Sequence, residues 1–105
     1  MNKDVLLVGR TSTVLDEVRK GLTAHDVTLF CATTLDDVRK VLDEHPIDTV
    51  IMGAGVDLET RLRIVRHVFE ASNSTTVHMK DFDSGPEGFL PFVEEVLRSR
   101  GGTAG

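Results

Sequence analysis

The sequence predicts a three-layer α/β domain, an open parallel four-stranded sheet in the order 2-1-3-4 with helices on both faces. Three observations predict it. Short runs of apolar and β-branched residues alternate four times with longer stretches of helical period across 105 residues, about 26 residues to a unit. The runs Asp4–Val8 and Ile47–Met52 are mostly apolar or β-branched, as strands covered on both faces are. Parallel strands joined by right-handed crossovers then place helices on both sides of the sheet, with the first and third strands in the middle.

Each element has its own justification. The first strand, Asp4 to Val8, ends at Gly9. From Thr11 or Ser12 to Ala24 the period becomes helical, and Val14, Leu15, Val18 and Leu22 share one face at 100° per residue. Asp16 and Glu17 early, and Arg19 and Lys20 late, suit the helix dipole. Gly21 weakens the last turn by ~1 kcal/mol relative to alanine. Val27–Ala32 is the second strand. Thr34 opens a second helix, with Asp37 at capping-box spacing in place of the usual glutamate. Leu35, Val38, Val41 and Leu42 form its stripe, and His45-Pro46 ends it, because the residue before proline is pushed out of the helical region.

The third strand, Ile47–Met52, opens into Gly53-Ala54-Gly55, and Asp57 is placed to cap a third helix running to about Ala71. Leu58, Leu62, Val65, Val68 and Phe69 are expected to face inward. Glu59, Arg63, Arg66 and Glu70 line the opposite face as two Glu/Arg pairs at four-residue spacing. Arg61 is separated from Arg63 and Arg66 on the wheel, and Glu59 and Glu70 neutralise that surface, so a solvated face is expected rather than a basic cluster. After Ser72-Asn73-Ser74 comes a fourth strand, Thr75–Met79, with Val77 and Met79 on one side and Thr76, His78 and Lys80 on the other. Gly85 and Pro86 punctuate a loop over Asp81–Gly88. The last helix starts at Pro86 or at Pro91 and reaches about Ser99. Residues 1–100 thus form a single domain, and residues 101–105 are expected to be a disordered tail.

Composition narrows the classes of function. A hydrophobic content of 40% and a charged content of 28% are those of an ordinary globular domain, and a net charge of −5 argues against a general nucleic-acid or anionic-membrane binder. The apolar start at Val5–Val8 is too short for a signal-peptide core or a membrane span. Cys31 is the lone cysteine, so an intramolecular disulfide and an all-thiolate zinc site are both excluded. It is expected to be a packed, inert thiol. His25, His45, His67 and His78 show no metal-ligand spacing. A cytoplasmic location is the default, with no metal and no cofactor.

The run VLLVGR, the helix after it and HPIDTVIMGAGVD resemble the first three units of response-regulator receiver domains, which have a flavodoxin-like fold. The likeness covers about two-thirds of the chain and is one of pattern. It implies phosphotransfer only where the receiver's chemistry is kept. Receivers hold Mg²⁺ with an acidic pair after the first strand, where this chain has Gly9 and Arg10. They accept phosphate on an aspartate ending the third strand, where this chain has Gly53. Lys80 could stand for the lysine that ends their last strand, with one strand-helix unit missing before it. Without the carboxylate nucleophile there is nothing to phosphorylate, and without the acidic pair there is no site for a hard cation. The resemblance therefore implies a receiver relative that has lost phosphotransfer.

Two hypotheses of different class follow. The first is a non-catalytic interaction or regulatory module that pairs with itself or with another protein. In the last helix Phe89, Leu90, Phe92, Val93, Val96 and Leu97 spread over roughly 160° of the wheel, which means either a helix wedged in the core or one covered by a partner. With the fourth strand at the sheet's edge, His78, Phe89, Phe92 and Val96 are the interface candidates, and a homodimer is expected. The second is a domain binding a small anion or a phosphate-bearing small molecule at the strand ends. Its candidates are Gly9, Arg10, Thr11 and Ser12 between a strand and a helix, Gly53 and Gly55 in the next turn, and Lys80. Neither the dinucleotide fingerprint nor the P-loop lysine is present, and no catalytic triad or carboxylate pair can be read. An N-cap beside an exposed arginine, and a tight strand-to-helix turn, account for the same residues.

Overall fold

The computed structural model describes residues 3–22, 26–81 and 88–102. The chain runs β1 (Lys3–Val8), α1 (Ser12–Gly21), β2 (Val27–Ala32), α2 (Leu35–Glu44), β3 (Thr49–Met52), α3 (Leu58–Ala71), β4 (Thr76–Met79) and α4 (Phe89–Gly102). The strands are all parallel, in the order β2-β1-β3-β4. This is the flavodoxin-like three-layer arrangement that the alternating period predicts.

The two-residue period of the central strands divides the core. Leu6, Val8, Val50 and Met52 turn toward α2 and α3, where they meet Val38, Ile64 and Val68. Val5, Leu7 and Ile51 turn the other way, toward Leu15 and Val18 of α1 and Phe89 and Val93 of α4. None of these side chains is more than 2% exposed. Each contributes about 1.5–3 kcal/mol by leaving water, so both faces of β1 and β3 are pinned and the strand ends come into line. The helix starts are fixed by side chains. Thr11 Oγ1 accepts from the Val14 N–H at 3.4 Å, Thr34 Oγ1 from Asp37 N–H at 3.1 Å and Asp57 Oδ2 from Thr60 N–H at 3.1 Å. The Asp37 carboxylate reaches back to the Thr33 N–H at 3.4 Å, one residue before the position its capping-box spacing suggests.

Element ends differ from expectation in places. α1 closes at Gly21, with the Leu22 N–H on Val18 O at 2.9 Å, and residues 23–25 lie outside the described residues. α4 begins at Phe89 and holds Pro91 in its first turn, where a missing N–H is no loss. Pro86 and the other loop residues of 82–87 lie outside the described residues. The last helix continues through Gly102, taking in the first two residues of the expected tail, and residues 103–105 are again outside the described residues.

Two helices present different faces from those expected. α4 is wedged between the sheet and α1. Phe89, Val93 and Val96 are buried, and Leu90, Phe92 and Leu97 pack against the same cluster. A Cβ on Gly21 would lie 2.5 Å from Leu90 Cδ2, so the two helices touch at that glycine. The wide apolar arc is therefore covered inside the molecule, and Phe89 and Val96 are core residues rather than surface available to a partner. In α3 the inward residues are Arg61, Ile64 and Val68. Leu58, Leu62 and Phe69, expected to face inward, are 59%, 56% and 55% exposed.

Candidate functional site

Backbone hydrogen bonds carry the sheet past the strand ends. Gly9 N–H donates to Ala32 O at 3.2 Å, Gly53 N–H to Val8 O at 2.9 Å and Lys80 N–H to Met52 O at 2.9 Å. The glycines at this edge admit neighbouring side chains of the same chain. A Cβ on Gly53 would lie 3.4 Å from the Phe89 ring, and one on Gly9 would lie 2.9 Å from Leu15 Cδ2. At Gly55 it would lie 2.7 Å from Arg10 Cβ, an atom fixed to the backbone. The close approach that glycine permits is thus made by Leu15 at Gly9 and by the stem of Arg10 at Gly55, while Phe89 lies at ordinary contact distance from Gly53.

The charged residue that organises this edge is Arg61, which the wheel separates from Arg63 and Arg66 without giving it a role. It is 4% exposed. Its Nε donates to Val56 O at 2.8 Å, Nη1 to Lys80 O at 2.7 Å and Nη2 to Gly53 O at 2.9 Å. One planar guanidinium therefore ties the end of β3, the turn into α3 and the end of β4 together, using its fixed fork of donors. Burial pushes the Arg61 pKa down, and the negative charge of Asp81 opposes that shift. Lys80 is also buried, its side chain 3% exposed and its Nζ 3.9 Å from Asp81 Oδ1. The expectation that Lys80 presents a surface charge at the edge is corrected by its burial.

Two clefts open at the strand ends. The larger, about 770 Å³, lies between the starts of α2 and α3 and is lined by Gly9, Arg10, Thr33, Thr34, Gly55, Asp57, Glu59, Thr60 and Arg63 among others. The smaller, about 390 Å³, runs over Arg10, Thr11, Gly53, Gly55 and Phe89. Arg10 is exposed at both and makes no ion pair or hydrogen bond among the described residues. The acids of the larger cleft are engaged. The Asp57 carboxyl is held below its ordinary range by the Thr60 hydroxyl and amide, with Oδ1 2.7 Å from Thr60 Oγ1. Glu59 pairs with Arg63 at 2.7 Å. Ser12 lines neither cleft but borders a groove of about 230 Å³ with Arg19 and Cys31, where Arg19 Nη2 lies 3.2 Å from Cys31 Sγ. Burial pushes the Cys31 thiol up, against the opposing charge of Arg19. Among the described residues no group of three His, Cys, Asp or Glu side chains is placed to hold a metal ion. The structure thus brings Gly9, Arg10, Thr11, Gly53 and Gly55 together at the clefts, while Ser12 borders a different groove and Lys80, joined to Gly53 through Arg61, has a buried side chain.

Compared with known proteins, the chain matches no family model, and no curated protein is significantly similar to it. No described helix is long and apolar enough to cross a membrane. The surface itself must therefore indicate where function sits.

Among the described residues, the large hydrophobic side chains left exposed lie on α3 and β4. Leu58, Leu62 and Phe69 are joined among the exposed large hydrophobic residues by Met79, 45% exposed at the end of β4. β4 ends the sheet on this side. Its Val77 packs into the α2/α3 side of the core. His78 is half-buried and registers beside Ile51, which places it on the α1/α4 side. Ile64, left out of the expected stripe, was the available signal: it marks a second apolar face on α3, rotated from the first.

Proposed function

We propose that this domain is a non-catalytic, receiver-like interaction module that is not phosphorylated and that associates through its C-terminal strand. One observation carries the reading. Where a receiver would place its acceptor aspartate stands Gly53, whose N–H is held by Val8 O, whose carbonyl is held by Arg61 and on which a Cβ would lie 3.4 Å from the Phe89 ring. Glycine offers no carboxylate to phosphorylate, and the neighbouring Arg10 supplies a cation where receivers need acids. Association then uses the free edge of β4 and the exposed apolar residues of α3 beside it, since the arc of α4 is covered. A cytoplasmic setting suits a chain whose single thiol is half-buried and uncrosslinked. The test is incubation with acetyl phosphate and Mg²⁺ followed by intact-mass measurement. No phosphoryl adduct is expected, and an acid-labile adduct on any aspartate overturns the reading.

A second reading is favoured by Arg10 alone. An exposed guanidinium at the mouth of both clefts, near the starts of α1 and α3, suits a small anion or the phosphate of a small molecule. Arg10→Ala should then abolish any thermal shift produced by phosphate or nucleotides. If none of these ligands shifts the wild type, the clefts are turns and nothing more.

A further inference from the structure

We propose that the outer flank of α3 and the free edge of β4 form one face through which two copies of this chain pair about a twofold axis. This rests on reading the domain as an interaction module and names the partner as a second copy. The stripe Leu58, Leu62, Val65 and Phe69 has the 4-3-4 spacing of a seam between paired helices, with Leu58, Leu62 and Phe69 exposed and Val65 half-buried against the core at its inner margin. On the wheel it lies about 100° from the buried face of Arg61, Ile64 and Val68. The opposite flank of α3 faces α2, because Thr60 and Arg63 share a cleft with Thr33, Thr34 and Leu35. The stripe therefore overhangs the side on which β4 ends the sheet.

The backbone of β4 completes the face. Thr76 N–H and Lys80 N–H point to Asp48 O and Met52 O on the β3 side. Alternation then turns the N–H and C=O groups of Val77 and Met79 outward, toward the open edge. A twofold axis perpendicular to the sheet would pair this edge with itself, antiparallel, and continue the sheet across the dimer. The helices follow. Ile64 and Val68 share a cluster with Val50 and Met52 of β3 and with Val77 of β4, so α3 covers both strands. Two strands span about 10 Å, which sets α3 and its symmetry mate at the ordinary packing distance of adjacent helices.

Charge identifies a second copy as the occupant. In an antiparallel seam Leu58 lies opposite the second copy's Phe69, and Leu62 opposite its Val65. Glu59 and Arg66, one heptad apart on the solvent side of the stripe, then face each other reciprocally across the axis: Glu59 meets the second copy's Arg66, and Arg66 its Glu59. In the single chain both are exposed and, among the described residues, pair along their own helix, with Arg63 and Glu70. The reciprocity arises because the same helix supplies both sides.

Sedimentation equilibrium of the full chain up to millimolar concentration tests this. The wild type is expected at twice 11.5 kDa. Leu62→Glu is expected at the monomer mass with an unchanged circular dichroism spectrum, since the residue is 56% exposed. Glu59→Arg alone and Arg66→Glu alone should each weaken self-association by about tenfold or more, and the two together should restore it. A wild type that stays at 11.5 kDa overturns the self-pairing. A dimer indifferent to Leu62→Glu, or single reversals that the double variant does not rescue, overturns it equally. None of these results bears on whether the domain takes up phosphate, so the interaction-module reading fails separately, on an adduct in the acetyl phosphate experiment.

Discussion

Replacing Arg61 with methionine keeps the packing of the side-chain stem and removes the three donors that join Gly53 O, Val56 O and Lys80 O. Gly53 O also accepts from the Val56 N–H at 3.4 Å and so retains a partner. The carbonyls of Val56 and Lys80 lose the guanidinium, and a buried acceptor that loses a charged donor costs about 1–3 kcal/mol. Two of them give about 2–6 kcal/mol, reduced because a cation no longer has to be held out of water. A net loss of about 3 kcal/mol is expected, which corresponds to a fall in Tm of about 12 °C or more for a domain of this size. Urea denaturation followed by circular dichroism measures it, with the m-value unchanged. Arg61→Lys should recover only part of the loss, because one ammonium cannot match three carbonyls in a plane. A methionine variant within ~0.5 kcal/mol of wild type would refute the idea that this arginine holds the strand ends.

Three further outcomes are expected. Gly55→Ala should destabilise by about 1–3 kcal/mol in the same assay, because its Cβ would meet Arg10 Cβ at 2.7 Å and only a backbone shift relieves that contact. Cys31 has its thiol pKa raised above 9.0 by burial, so less thiolate is present near pH 8 and alkylation by iodoacetamide should be slower in the native protein than in urea. The Asp57 carboxyl is depressed below 3.8 by Thr60, so the unfolded chain takes up its proton more readily. Its contribution is present above the unfolded pKa and is lost as the pH falls through the folded one. Asp57→Asn, which keeps a capping oxygen, should flatten the acid limb of stability measured by urea midpoints between about pH 5 and pH 2.

The sheet order was legible because hydropathy alone separates strands covered on both faces, such as Val5–Val8 and Thr49–Met52, from helices with one apolar stripe. The starts of α2 and α3 were legible because Thr34 and Asp57 are short acceptors placed just before helical periods. The rotation of α3 was not. That helix carries one apolar line through Leu58, Leu62, Val65 and Phe69 and another through Ile64 and Val68. A wheel that counts arginine as polar centres on the first and takes in Val68 from the second, which is indeed buried, while leaving out Ile64. The fold chooses the second because Arg61 lies beside it, and the carbonyls at the ends of β3 and β4 supply acceptors that no local pattern reveals. The same long-range geometry buries Lys80, which reads in sequence as a surface charge. In α4 the wide arc reflects two neighbours, the sheet and α1, and a wheel cannot distinguish a second neighbour in the same chain from a partner outside it. The glycines at the strand ends read either as an approach for a ligand or as tight strand-to-helix turns. That Leu15 and Arg10 make the approach could not be read from spacing.

The central claim is that the strand-end edge is structural and that the working face is α3 with β4. Hydrogen exchange of the full chain, compared between dilute and concentrated solution, tests it most directly. Protection that rises with concentration is expected at the amides of Val77 and Met79 and along residues 58–69, with Gly9–Ser12 and Gly53–Asp57 unchanged. Concentration-dependent protection confined to those two turns, or none at α3 and β4, would contradict the account.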